Sequence, residues 1–224
     1  MRTWKIAPSL ACGNPLDMRK DIEVLDSYHV DFFHADIMDG HFVPNYCLSF
    51  EHVKAIKEIS KTPIDVHLMT THVERDVDRS IQAGASQISF HVEIPGNHMK
   101  LLERIRDKGA KAALSINPET PVQVLEAYFD VLDCINVMAV KPGFAGQAFL
   151  EQTYRKVYKL AKMKETKNAS FLICVDGGID FGNGVSCLKA GADMLVAGKL
   201  CVYRGNLNKD FPAFLEEMER NGFN

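Results

Sequence analysis

The stretch Phe32-Phe33-His34-Ala35-Asp36-Ile37 is short and mostly apolar, and its two polar side chains stand two positions apart. A run of this length reads as a buried strand, because a helix needs roughly ten or more residues. Residues two apart in a strand share a face, so His34 and Asp36 point the same way. Similar runs recur outward from it: Lys5–Leu10 on one side, then Ile64–Met69, Gln87–Val92, Ala112–Ile116, Cys134–Val140, Phe171–Val175 and Met194–Ala197 on the other. Helical patterns lie between them. Asn14-Pro15 reads as an N-cap and first helical residue, with Met18, Ile22 and Leu25 on one face. Thr120-Pro121 repeats that device before Val122 and Leu125. Val73, Val77 and Ile81 are spaced by four, and Phe211, Phe214, Leu215 and Met218 share a face of a last helix.

Eight strands alternating with helical units imply a parallel sheet covered by helices, because parallel strands need crossovers. Within 224 residues this predicts one α/β domain over 1–224, a single (β/α)8 TIM barrel. A doubly wound open sheet is the rival. Its Gly-x-Gly-x-x-Gly fingerprint is missing from the first loop, which reads Ala11-Cys12-Gly13-Asn14-Pro15. Ile81-Gln82-Ala83-Gly84-Ala85 echoes Leu188-Lys189-Ala190-Gly191-Ala192 half a chain away, either as two similar half-barrels or as two helix C-termini.

Composition narrows the partners. Hydrophobic residues make up 46% and charged residues 25%, which excludes a disordered, collagen-like or coiled-coil chain. With 26 Lys and Arg against 29 Asp and Glu, the net charge of −3 draws neither nucleic acid nor an anionic membrane. The Lys-rich stretch from Arg155 to Lys167 reads as a solvated helix face. No segment approaches the ~20 apolar residues of a membrane span, and Met1 to Leu10 lacks the apolar core of a signal peptide. Six cysteines without a Cys-x-x-Cys pair read as reduced thiols, so the expected location is the cytoplasm.

Polar residues gather at the strand ends: Ser9, His34 and Asp36, Asp65 and His67, His91 and Glu93, Ser115 and Asn117, then Asp176. A barrel builds its active site at the carboxyl ends of several strands at once. Two His and two or three carboxylates meeting there have the composition of a divalent metal site, or equally of hydrogen-bonded polar groups inside the barrel. Glycines follow the last three strands, in Lys141-Pro142-Gly143-Phe144-Ala145-Gly146-Gln147, Asp176-Gly177-Gly178 and Gly198-Lys199. Such loops receive phosphate, because glycine lets backbone N–H groups approach the anion.

His34-Ala35-Asp36-Ile37-Met38-Asp39-Gly40-His41-Phe42-Val43-Pro44-Asn45 resembles the most distinctive signature of the ribulose-phosphate 3-epimerases. Ala7-Pro8-Ser9-Leu10, Asp65-Val66-His67-Leu68-Met69, Val137 to Gln147 and Val175-Asp176-Gly177-Gly178-Ile179 are similar to further family motifs, in order along the chain. The resemblance implies a barrel of the ribulose-phosphate-binding type and one divalent ion per subunit: Zn2+, or else Fe2+, Mn2+ or Co2+. Its implied ligands are His34, Asp36, His67 and Asp176, with Asp36 and Asp176 also acting as acid and base at C3 of a ketose phosphate. It further implies that Ser9, His67, Asp176, Gly177, Gly178, Gly198 and Lys199 bind substrate. The loop Gly143, Phe144, Ala145 and Gly146 would close over the phosphate, while Met38, Met69 and Met138 pack around the intermediate. A homo-oligomer is expected.

Three positions depart from the family pattern: Ala11-Cys12-Gly13, Lys141 and Lys199. The implied substrate is D-ribulose 5-phosphate, interconverted with D-xylulose 5-phosphate. D-allulose 6-phosphate is the alternative, because Phe144-Ala145-Gly146-Gln147 and Asn117-Pro118-Glu119-Thr120-Pro121 resemble that branch. A lyase of related barrels needs a Lys between two Asp, and Asp36-Ile37-Met38-Asp39 has none. A non-catalytic sugar-phosphate binder is the third reading.

Overall fold

The computed structural model describes residues 2–223. Its strands are β1 (Lys5–Pro8), β2 (Phe33–Met38), β3 (Ile64–Met69), β4 (Gln87–His91), β5 (Lys111–Ile116), β6 (Cys134–Met138), β7 (Leu172–Asp176) and β8 (Met194–Ala197). All pair in parallel in the order β1-β8-β7-β6-β5-β4-β3-β2. The seam between β1 and β2 is joined by a parallel bridge from Ser9 to His34, so the (β/α)8 barrel closes on a pair of residues singled out for the site. The helices are α1 (Met18–Ser27), α2 (Phe50–Ile59), α3 (Val73–Ala83), α4 (His98–Asp107), α5 (Gln152–Thr166), α6 (Phe181–Ala190) and α7 (Leu207–Arg220). None is long and apolar enough to cross a membrane among the described residues.

The strand period of two separates two cores. One parity packs beneath the helices, with Ile6, Phe33, Val66, Leu68, Ile88, Phe90, Leu114, Val137 and Val175 all fully buried. The other parity faces the barrel axis. It is closed at the bottom by Ala7, Phe32, Ala113, Cys134, Cys174, Met194 and Val196, and is polar above them. Both cores are removed from water, so the polar residues on the axis must find partners within the barrel.

Local sequence signals misplaced some boundaries. Asn14-Pro15 does not start α1: Asn14 accepts from Leu16 N–H at 3.0 Å in a side-chain turn, and the helix begins four residues later at Met18. Short polar side chains stabilise such turns as readily as caps. After Thr120-Pro121 the chain forms a 3₁₀ segment, Val122–Tyr128, where an α-helix was expected. β6 ends at Met138, two residues short of Val140, and β1 ends at Pro8, so Ser9 leaves the strand to make the closing bridge. The Ala-Gly echo resolves as two helix ends: Gly84 and Gly191 are the left-handed C-caps of α3 and α6.

Candidate active site

Neighbouring strands place the ligand candidates by register. His34 pairs with Asp65 and Asp36 with His67 across β2 and β3, while Asp176 comes from the end of β7. One donor atom from each of His34, Asp36, His67 and Asp176 falls within 4.8 Å of all the others. His34 Nε2 lies 3.2 Å from Asp36 Oδ1 and 3.5 Å from Asp176 Oδ2. His67 Nδ1 lies 3.2 and 3.4 Å from the same two oxygens. Both imidazoles are fully buried.

Each imidazole commits its other nitrogen to an outer partner. His34 Nδ1 is 2.8 Å from Asp65 Oδ2, and Asp65 Oδ1 accepts from Gln87 Nε2 at 2.9 Å. His67 Nε2 is 2.9 Å from His91 Nε2, and His91 Nδ1 is 3.2 Å from Glu93 Oε2. The inner nitrogens and the two carboxylates are thus a mixed imidazole and carboxylate set, whose chemistry fits a divalent ion such as Zn2+, Fe2+, Mn2+ or Co2+.

Burial opposes charge on all four side chains, yet their mutual attraction outweighs it. His34 and the hydrogen bonds from both imidazoles hold Asp36 well below the usual carboxylate range, and Asp176 at about 2. Asp36 pushes Asp176 upward, which is the like-charge crowding expected of two acids sharing a site, but this is the smaller effect. The two carboxylates raise His34 and His67 above the ordinary imidazole value. His91 behaves oppositely: burial pushes it down to about 4 despite its contact with Glu93.

Above this cluster opens a cavity of about 230 Å3. Ser9, Asp36, Asp176, Gly143, Phe144, Ala145, Gly146, Gly177, Gly178, Gly198 and Lys199 all line it, as do Met38, Met69 and Met138. His67, also expected to touch substrate, lies beneath the lining and takes part through its carboxylate contacts. Gly177 and Gly178 both have positive φ, at 106° and 66°. An ideal Cβ on Gly178 would sit 3.0 Å from the backbone of Phe149, so a side chain there meets both strain and a clash.

Of the three departures, Cys12 and Lys199 line the cavity while Lys141 is exposed outside it. Lys199 runs its stem past Gly146 at the rim. α6 begins at Phe181, three residues past Gly178, and its cap Asp180 accepts from Asn183 N–H at 2.8 Å.

Several residues escaped the sequence reading. Asn45 donates from Nδ2 to Gly143 O at 2.7 Å, tying the loop after β2 to the glycine loop after β6. Asp39 accepts from the N–H groups of His41, Phe42 and Thr71 and from the Thr71 hydroxyl, which anchors the loop between β2 and α2. Asn136 donates to Asp176 Oδ2 at 3.4 Å, as Ser9, which the sequence does single out, donates to Asp36 Oδ2 at 3.1 Å. Asn136 gave a signal that could have found it: it shares strand parity with Met138 and lies in an otherwise apolar run.

Fold and site together define a (β/α)8-barrel protein with a carboxylate pair in a donor set suited to a divalent ion, facing a glycine-walled cavity. Comparison with known proteins sharpens that class. Residues 5–202 match the ribulose-phosphate 3 epimerase family. The ribulose-phosphate 3-epimerase of Bacillus subtilis is 36% identical over 195 residues, spanning 87% of this chain and 90% of that protein. That of Rhodobacter capsulatus is 39% identical over 197 residues, spanning 88% and 85%. Among solved structures, a thiamine phosphate pyrophosphorylase from Pyrococcus furiosus aligns over 99% of this chain and 98% of its own with a TM-score of 0.68. Its 13% identity makes the likeness one of fold alone. This chain belongs to the ribulose-phosphate 3-epimerase family and is an isomerase of the racemase and epimerase type.

Proposed function

We propose that this enzyme interconverts D-ribulose 5-phosphate and D-xylulose 5-phosphate by moving the C3 proton between Asp36 and Asp176. The observation that carries this reading is that two carboxylates from well-separated strands, β2 and β7, meet over one pair of imidazoles at the floor of a glycine-walled cavity. One carboxylate takes the proton from one face of C3 while the other returns one to the opposite face, and that acid must gain its proton against the imidazoles that hold both carboxylates low. His34, Asp36, His67 and Asp176 would hold a divalent ion, Zn2+ in the first instance, which would supply Lewis-acid stabilisation of negative charge on the substrate.

The chain's own residues do the rest. Ser9 and Asn136 each donate to one carboxylate and orient it. Met38, Met69 and Met138 present apolar surface to the cavity and exclude water from the reacting carbon. Gly177, Gly178, Gly198 and the loop from Gly143 to Gly146 receive the phosphate through backbone N–H groups, and Lys199 adds charge at the rim. A homo-oligomer belongs to the same proposal, and sedimentation velocity tests it.

Incubation of purified protein with D-ribulose 5-phosphate in deuterated water tests the reaction. Xylulose 5-phosphate carrying deuterium at C3 is the expected result. Faster turnover of D-allulose 6-phosphate in a parallel assay would transfer the assignment to the hexulose. Tight sugar-phosphate binding without exchange at C3 would make the protein a binder instead.

A further inference from the structure

The two histidines of the donor set are backed in different ways. His34 leans directly on a carboxylate, Asp65. His67 leans on a second imidazole, His91, which is itself fully buried and meets it nitrogen to nitrogen at 2.9 Å, the ring centres 5.0 Å apart. Hydrogen-bond direction along this second arm can be worked out from its far end. The backbone N–H of Asn117 can only donate, and it reaches Glu93 Oε1 at 2.8 Å, where the Thr120 hydroxyl donates as well. With these donors and His91 against it, Glu93 is held down to about 2 although burial opposes this, so it is ionised and an acceptor throughout, and its Oε2 takes a proton from His91 Nδ1, 3.2 Å away. A neutral His91 protonated on Nδ1 has a lone pair on Nε2. Facing that lone pair at 2.9 Å, His67 Nε2 must be the donor. His67 is thereby held with its proton on Nε2, which leaves Nδ1, beside Asp36 and Asp176, as the nitrogen that gives up its proton to a metal ion and can ligate.

We propose that His91 and Glu93 are positioning residues for the metal centre, with Glu93 setting the His91 tautomer and His91 in turn setting that of His67. The proposal rests on the metal reading above. It gives the segment Asn117 to Thr120 a role in the centre without any contact to it: through Glu93, this segment fixes the proton order. Glu93→Gln reverses the chain at almost constant shape. The glutamine oxygen answers Asn117 and Thr120, its NH2 group then faces His91 Nδ1, and His91 must carry its proton on Nε2. That proton confronts His67 Nε2–H, and relief comes when His67 moves its proton to Nδ1 and ceases to be a ligand.

Zn2+ titration of the full chain tests this against a competing chelator. Glu93→Gln should bind Zn2+ about 10–100-fold more weakly than the unsubstituted protein. His91→Gln, which keeps an acceptor for His67, should retain more affinity than His91→Leu. Equal affinities for Glu93→Gln and the unsubstituted protein, or for the two His91 variants, would overturn the proposal. If any variant fails to fold, 15N-histidine NMR of the unsubstituted Zn2+-loaded protein decides alone. His91 protonated on Nδ1, with His67 protonated on Nε2, is the expected pattern, and the reverse tautomer of His91 refutes it. An unsubstituted protein that takes up no Zn2+ would refute the metal reading itself, an outcome separate from either of these.

Discussion

The donor corner and the glycine corner of the cavity are built by opposite strategies. At the donor corner, side chains from β2, β3 and β7 converge from regular strands, and each imidazole has its outer nitrogen held by a partner behind it. At the glycine corner, the loops after β6, β7 and β8 offer backbone, and side chains are absent where they would intrude. One corner needs atoms fixed to within a few tenths of an ångström for proton transfer. The other needs room and N–H groups for an anion that stays chemically unchanged. Rigid strands serve the first need, and loops that tolerate unusual backbone serve the second. Asn45 ties the two together through Gly143.

Substitutions at the two corners should therefore differ in kind and in size. The largest effect is expected from Asp36→Asn and Asp176→Asn, each losing about 10²–10⁴-fold in kcat with C3 deuterium exchange lost in parallel, because each removes one partner of the proton transfer. Normal exchange in either variant would break the two-carboxylate scheme. Next in size is Asp65→Asn, behind His34. It should weaken Zn2+ binding about 10–100-fold while leaving the glycine corner's hold on inorganic phosphate intact. A chelator-competition titration and a phosphate-inhibition assay on the same preparation read the two corners separately.

The donor corner should also respond to pH while the glycine corner does not. His34 and His67 are raised above the ordinary imidazole value by Asp36 and Asp176, so their contribution to the ion-free fold is fully present below about pH 6.5 and is lost as pH rises through their raised values. Metal must displace those same protons. The stabilisation that Zn2+ confers should thus keep growing from pH 6 to pH 8, as the difference in Tm between loaded and chelated protein. A difference that is flat over that range would contradict the protonated pair.

Smaller effects belong to the glycine corner. Gly178→Ala places a side chain at φ 66° against the Phe149 backbone, and should cost about 1–2 kcal/mol of stability in denaturant unfolding, with a raised KM and a nearly unchanged kcat. Lys199→Ala should do least. As an exposed rim charge, Lys199 is screened, so KM should rise only a few-fold at low salt, a change that fades as salt is added. A large fall in kcat for Lys199→Ala would show that the two corners are not separable in this way.

The two corners were also unequally legible. His34, Asp36, Asp65 and His67 announce themselves because strand parity is local: a polar residue in an apolar run must face the axis or go unsatisfied. The glycines of the second corner were readable as residues, but the backbone angles that make Gly177 and Gly178 necessary were not. Helix starts were misread at Asn14 and Thr120 for a related reason, since the same short polar side chains serve both turns and caps. His91 and Glu93 were visible as strand-end residues, yet nothing nearby in the chain indicated that they would stand behind His67.

The amino-acid sequence by itself determined the alternation of eight strands with crossovers, the face each polar residue occupies, and through its motifs the family. These follow from periods of two and 3.6 residues and from short contiguous strings. Only the tertiary structure decided which strand ends meet. The β2–β3 register set Asp36 beside His67, and barrel closure at Ser9 and His34 brought β7 within reach of β2. Which ring nitrogen turns inward was also a tertiary outcome, because a hydrogen bond's direction is set by partners up to 31 residues away in the chain, as between His34 and Asp65.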